Sequence, residues 1–319
     1  MECVRRSIIP RPGRPRPRLR LAAVLLTLLA LPVLPAASAA ADPARPAPPA
    51  RPARPAPPAP PALLAPPGPS VLAPPGSPES VPVRGNAYMG MGVAAHEGAA
   101  APSGAPAPAT RAGQTEGVDV SSHQQDVAWS TLWRSGTRWA YTKATEGTSY
   151  TNPYFSQQYS GAYGVGMVRG AYHFAAPDSG SGAAQADYFV DHGGGWSGGG
   201  RTLPGVLDIE WNPYGDSCYG KSADAMTGWI GDFLSRYKAR TGRDAVIYTS
   251  ASWWNSCTGG YRGFAANPLW VARYASSAGE LPAGWPAYTM WQYTSTGPTV
   301  GDHDRFNGSP DALGQFAAG

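Results

Sequence analysis

The chain has 319 residues and a net charge of +4 that is unevenly laid out: residues 1–114 carry 12 Lys and Arg against 4 acids, and residues 115–319 carry 13 against 17. The folded part is therefore mildly acidic, and no Lys/Arg stripe interleaved with aromatics runs through it, which argues against nucleic acid as a partner. All eleven Trp lie beyond residue 115, so 115–319 is the stretch that can build one domain around one core.

In chain order, residues 1–40 read as a secretory signal. Seven Arg between Arg5 and Arg20 precede an apolar run, Leu21 to Leu34, and small residues follow to an expected cleavage near Ala40 or Ala41. A membrane anchor is the alternative, but an apolar run interrupted by Pro32 is shorter than the roughly 20 residues a spanning helix needs. The expectation is an exported protein with no stable membrane association. Residues 41–114 are mostly Ala, Pro, Gly, Ser and Arg. Such a composition buries too little apolar surface to offset chain entropy and predicts a disordered or polyproline-like linker or pro-segment.

Residues 115–319 form the predicted folded domain. Its strand-like runs are TEGVDVSSHQ, RWAYTKATEG, MVRGAYHFA, LPGVLDIEW, DAVIYTSASWW, PLWVARYA, YTMWQYTSTG and GDHDRF. The clearest helix begins at Ser222, a plausible N-cap, and repeats Met226, Trp229, Ile230, Phe233, Leu234 and Tyr237 at helical spacing before Gly242 stops it. Weaker helices fit 127–135, 153–163 and 182–191. Strands alternating with helices predict an α/β fold with a mostly parallel sheet, and eight such strands suggest closure into a barrel. The connections 275–287 and 295–302 are too short and too rich in Gly and Pro for full helices, so the barrel should be irregular, its helical ring incomplete on the C-terminal side.

LPGVLDIEW poses the functional question. Alternation along a strand points Asp208 and Glu210 to one side with Ile209 opposite. Two carboxylates that close, in a partly apolar setting, raise the cost of charging both, so one keeps its proton to higher pH and can serve as a general acid. An Asp-x-Glu triplet alone usually lies on a solvated surface; here the run around it is apolar, and burying carboxylates without purpose is expensive. Asp119, between Val118 and Val120, and Asp304, in GDHDRF, are two further acids at strand ends. Carboxylates among Trp and Tyr, with no metal-ligand spacing and no phosphate loop, point to glycoside hydrolysis without metal or cofactor. Cys218 and Cys257, the two cysteines left after export, are expected to pair; two free buried thiols are the alternative.

The ordered motifs GVDVSSHQQDVAW, YTKATEG, RGAYHF, LPGVLDIEW, IYTSASWW and MWQYTSTG resemble the family 25 glycoside hydrolase lysozymes, secreted bacterial N-acetylmuramidases, over 116–310. The resemblance implies a barrel of eight strands with about five helices, acting on peptidoglycan glycan strands as a monomer and cleaving the β-1,4 bond between N-acetylmuramic acid and N-acetylglucosamine. It assigns Glu210 as proton donor and Asp208 as its partner, adds Asp119 and Asp304 to the acidic floor, and matches Tyr172, Tyr248 and Trp291 to aromatics of the sugar groove. Tyr141 and Lys143 of YTKATEG are further candidates for the sugar, Lys143 equally for an ion pair with Glu146. Cys218 and Cys257 fit the disulfide of close relatives. Two departures stand out: His123 replaces a Trp common in the first motif, and the pattern after Asp304 is shortened, leaving Asp302 as the alternative fourth acid. A binding protein on the same scaffold, or a glycosidase on chitin, is the competing reading.

Overall fold

A computed structural model describes residues 82–98 and 113–319; the predicted signal and most of the Pro/Ala-rich stretch lie outside them. The strands are β1 (Thr115–Val120), β2 (Trp139–Glu146), β3 (Tyr150–Thr151), β4 (Val168–Phe174), β5 (Val206–Asp208), β6 (Val246–Thr249), β7 (Leu269–Ala272), β8 (Met290–Thr294) and β9 (Asp302–Phe306). The helices are α1 (Met91–Glu97), α2 (Trp129–Arg134), α3 (Phe155–Gly164), α4 (Gly182–Phe189), α5 (Ala223–Thr241), α6 (Ala251–Thr258) and α7 (Pro310–Ala318). All the strands but β3 form a closed barrel, because β1 pairs with both β2 and β9. The predicted eight-stranded α/β barrel is present, with seven helices among the described residues where about five were expected.

β1, β2 and β4 to β8 run parallel, while β9 is antiparallel to both of its neighbours. The short link from β8 to β9 cannot carry the chain back across the barrel, so β9 must run the other way. No α-helix lies between β7 and β8, as the composition of 275–287 predicted. The reading of DAVIYTSASWW as one strand ran too far: β6 stops at Thr249, and Ser250 caps α6 with its hydroxyl accepting from the Trp253 N–H.

α5 forms as its caps dictate. The Ser222 hydroxyl accepts from the Ala225 N–H, Lys238 and Arg240 lie in the last turn, and Gly242 closes the helix in the left-handed conformation. Its six apolar residues pack against α4 and the outer faces of β5 and β6 through Leu207 and Ile247. Burying each such side chain contributes roughly 2 kcal/mol.

Inside the barrel, the end from which the parallel strands start is filled by aromatics. Trp139 and Tyr141 meet Trp270 with ring centroids 5.6 and 5.0 Å apart. Gly117 and Gly170 leave them room, since a Cβ at either would collide with the Trp139 or Tyr141 ring. Above this packed floor the inward positions turn polar, and the site lies there, at the strands' C-terminal mouth.

Candidate active site

Asp119 of β1 and Asp302 of β9 are paired across the ladder. Gln292 of β8 joins them, its Nε2 donating to Asp119 Oδ2 at 2.7 Å and to Asp302 Oδ2 at 3.4 Å. Its Oε1 accepts from the hydroxyls of Tyr248 at 2.6 Å and Tyr274 at 3.0 Å. Because β9 runs antiparallel, its first residue is the one at the mouth. Asp302 therefore shares the level of Asp119, and Asp304, paired with Gly117, sits one step deeper. Asp208 ends β5, and Glu210 follows two residues on; neither has any solvent exposure.

Burial dominates the electrostatics of this cluster. It lifts the Asp208 carboxyl well above its ordinary value, reinforced by the negative charges of Glu210 and Asp119 and opposed by Lys143. Burial pushes Glu210 up to about 8 against the pull of backbone N–H donors, and Asp119 up to about 7 against the amide of Gln292. Asp302 and Asp304 are raised by burial and then by Asp119. The oxygens of Asp208 and Asp304 have no partner at normal hydrogen-bond geometry, although Asp208 feels Glu210, and Asp304 feels Asp119, closely enough to shift. A carboxyl in that position is held neutral more readily than charged.

Among the predicted sugar contacts, Tyr172, Tyr248 and Lys143 face the barrel interior at the mouth. The Lys143 ammonium donates to Glu146 at 2.6 Å, both side chains almost wholly buried, so the ion pair exists. Two candidates are placed elsewhere. Tyr141 belongs to the packed floor, its hydroxyl donating to the Pro204 carbonyl at 2.8 Å. Trp291 points outward, because its neighbour Gln292 points in, and its indole N–H donates to the Arg273 carbonyl. His173 is a wall residue. The Gln185 amide, oriented by backbone bonds to Ala176, accepts from Nε2 at 2.9 Å, the Thr145 hydroxyl meets Nδ1 at 2.7 Å, and burial lowers the ring to about 4. Trp253 and Trp254 are core residues. Cys218 and Cys257 form the expected disulfide. Among the described residues no cluster of His, Cys, Asp and Glu is arranged to hold a metal ion.

Residues 118–302 match the family described as Glycosyl hydrolases family 25. The chain belongs to that family. Lysozyme M1 of Streptomyces globisporus is 52% identical over 237 residues, covering 72% of this chain and 80% of that one. An N,O-diacetylmuramidase of Arthroderma benhamiae is 47% identical over 228 residues, covering 71% and 97%. In three dimensions a bacterial lysozyme from Streptomyces coelicolor superposes with a TM-score of 0.63 at 52% identity, over 65% of this chain and 99% of that one. As a family 25 member the protein is a glycoside hydrolase.

The family 25 mouth of this chain also holds a segment that sequence reading left unstructured. Residues 82–98 pack into it, with Met89 and Val93 buried and α1 at the segment's end. Glu210 accepts three backbone N–H bonds from it: Gly90 to Oε1 at 2.6 Å, and Gly92 and Val93 to Oε2 at 2.9 and 3.1 Å. The Lys143 ammonium donates to the carbonyls of Gly85 at 3.0 Å and Ala87 at 2.5 Å. Tyr88, the sole aromatic of residues 42–114, was the one available signal; its ring meets the edge of His123 at 5.0 Å. Gln292, Tyr274 and Trp211 are the other site residues that sequence reasoning missed.

Proposed function

We propose that this enzyme is an exported muramidase, hydrolysing the β-1,4 bond between N-acetylmuramic acid and N-acetylglucosamine in peptidoglycan with Glu210 as general acid and Asp208 steering the acetamido group. The observation that carries the reading is the Asp208–Glu210 pair at one barrel mouth, two carboxyls set side by side and both pushed upward while residues 82–98 cover them. Glu210, raised by burial in this mouth, is the acid placed to keep its proton and deliver it to the glycosidic oxygen as the bond breaks, once a glycan takes the place of the segment. Burial is the main cause that raises Asp208, and the charges of Glu210 and Asp119 add to it; protonation of Glu210 removes one of these, and the ammonium of Lys143 favours the ionised form. A charged Asp208 then accepts from the acetamido N–H and polarises its oxygen, which attacks the anomeric carbon from the opposite face. Glu210, now a base, activates the water that opens the cyclic intermediate, so configuration is retained overall. Asp119 and Asp302, tied by Gln292, line the same floor, with Asp304 beneath them.

Glu210→Gln is expected to lower release of reducing ends from purified peptidoglycan by about 10²–10⁴-fold while binding to the same walls persists; equal activity of the two proteins overturns the assignment. NMR of the first products reads the route, and initial release of the inverted anomer excludes the acetamido pathway. Comparing chitin with peptidoglycan separates a chitinase from a muramidase.

A further inference from the structure

The contacts of residues 82–98 reach around most of the barrel rim. Besides the three bonds to Glu210, the Gly85 N–H donates to Glu146 Oε1 at 2.7 Å, and His123 Nε2 meets the Asn86 carbonyl at 2.7 Å. The Met89 N–H donates to the Tyr172 hydroxyl at 3.4 Å, and the Tyr274 hydroxyl donates to the Gly90 carbonyl at 3.2 Å. At the far end Glu97 accepts from the Trp211 indole at 2.8 Å and from the Ser250 hydroxyl, while the His96 ring lies flat on Trp211 at 4.4 Å. What remains of the mouth is divided. A cavity of about 490 Å³ lies on the Arg273 and Asn255 side, and one of about 250 Å³ lies on the His123 and Asp302 side.

Two glycines permit this approach. Gly90 has φ of 87°, and a Cβ there would strike the Tyr274 hydroxyl; a Cβ on Gly92 would lie 2.6 Å from Trp211 Cβ and 3.0 Å from Glu210 Oε2. A bound segment that uses both oxygens of the proposed acid as acceptors leaves no path for a glycan between Asp208 and Glu210.

We infer that residues 82–98 are an intramolecular inhibitor seated in the active-site mouth, so that the full chain is latent and gains activity when this segment is released; this rests on the muramidase reading. Physical linkage explains how modest contacts suffice. A segment about fourteen residues from the barrel in the same chain acts at an effective concentration in the millimolar range. Docking with an intrinsic Kd of about 10 µM then keeps it seated roughly 99% of the time. A cut between Gly98 and Gly113 removes that advantage, and the freed segment is diluted away. The matches to the Streptomyces globisporus and Arthroderma benhamiae proteins span more of this chain than the barrel occupies, so the relatedness runs upstream of Gly113.

The test uses the full chain, its Gly92→Leu and Gly90→Val variants, and a version with a site-specific protease sequence in place of residues 103–110. Docking is read by amide hydrogen exchange over residues 88–94, and activity by reducing ends released from peptidoglycan. Slow exchange in the wild type and fast exchange in Gly92→Leu are expected. Activity should rise at least about tenfold in both variants and on cutting, in proportion to the open fraction. It should fall again when a synthetic peptide of residues 82–98 is added, and the Gly92→Leu/Glu210→Gln double variant should lose the gain. Fast exchange in the wild type, or slow exchange with no gain on undocking while the chain cleaves peptidoglycan, overturns the inhibitor. Slow exchange with no cleavage by any form, cut or uncut, overturns the muramidase reading and takes the inhibition with it.

Discussion

At the residue scale, Gln292 is the hinge of the acidic floor. One amide serves two carboxylates with its nitrogen and two tyrosine hydroxyls with its oxygen, which holds Asp119 and Asp302 close without their both being charged. Its bond pulls Asp119 down against burial, and the result is about 7. Gln292→Leu removes the donor, so the Asp119 carboxyl should titrate higher still, read by carboxyl ¹³C NMR. The two tyrosines lose their acceptor at the same stroke. Asp208→Asn should lower kcat by about 10²–10³-fold, the scale of losing one preorganised polar partner of the reacting group, measured on peptidoglycan with the protein otherwise folded. The acids were legible in sequence because two carboxyls inside an apolar run cost too much to bury for the sake of packing. Trp291 and Gln292 show where legibility ended. Both stand in one motif, and only the strand's phase against the barrel decides which of them faces the substrate.

At the element scale the decisive feature is how briefly β5 lasts. Its ladder ends at Asp208, and the chain that follows carries Glu210, Trp211 and Cys218 over the mouth. The disulfide from Cys218 to Cys257 fixes that stretch to α6 across a sequence separation of 39. Chain entropy values such a closure at about 4 kcal/mol. Replacing both cysteines by Ser should therefore lower the urea-unfolding free energy by about 2–4 kcal/mol. It should also weaken catalysis, since Glu210 loses a neighbour's anchorage; equal midpoints with and without the bridge would refute this. The long helix was readable because α5 carries its own caps and stripe. α6 was not: Ile247 to Thr249 and Trp253 to Trp254 are β-prone on either side of a short Ser-Ala-Ser, and the helix begins where Ser250 caps it. Residues 82–98 were the hardest case. Their composition buries little by itself, and they acquire structure from bonds to a barrel far away in sequence.

For the whole molecule, a floor of buried acids sets how stability responds to pH. Burial pushes Asp119 and Glu210 up to about 7 and about 8 in the folded protein, from 3.8 and 4.5 for the free side chains. Between those limits the folded state retains protons that the unfolded chain has lost, so the unfolding free energy falls as pH rises from about 4 to about 8. His173 works with the opposite sign. Burial lowers it from 6.5 to about 4, so the unfolded chain binds its proton first, and stability is lost as pH falls through that interval. The raised acids outnumber the one histidine, so the acids set the net slope: the unfolding free energy declines from about pH 4 to 8, less steeply below about 6.5, where His173 opposes them. Urea midpoints taken from pH 4 to 8 should show this decline. Asp119→Asn should make the decline shallower between about pH 4 and 7, because one of the raised acids is removed; an unchanged slope would show that Asp119 is ionised in the folded protein.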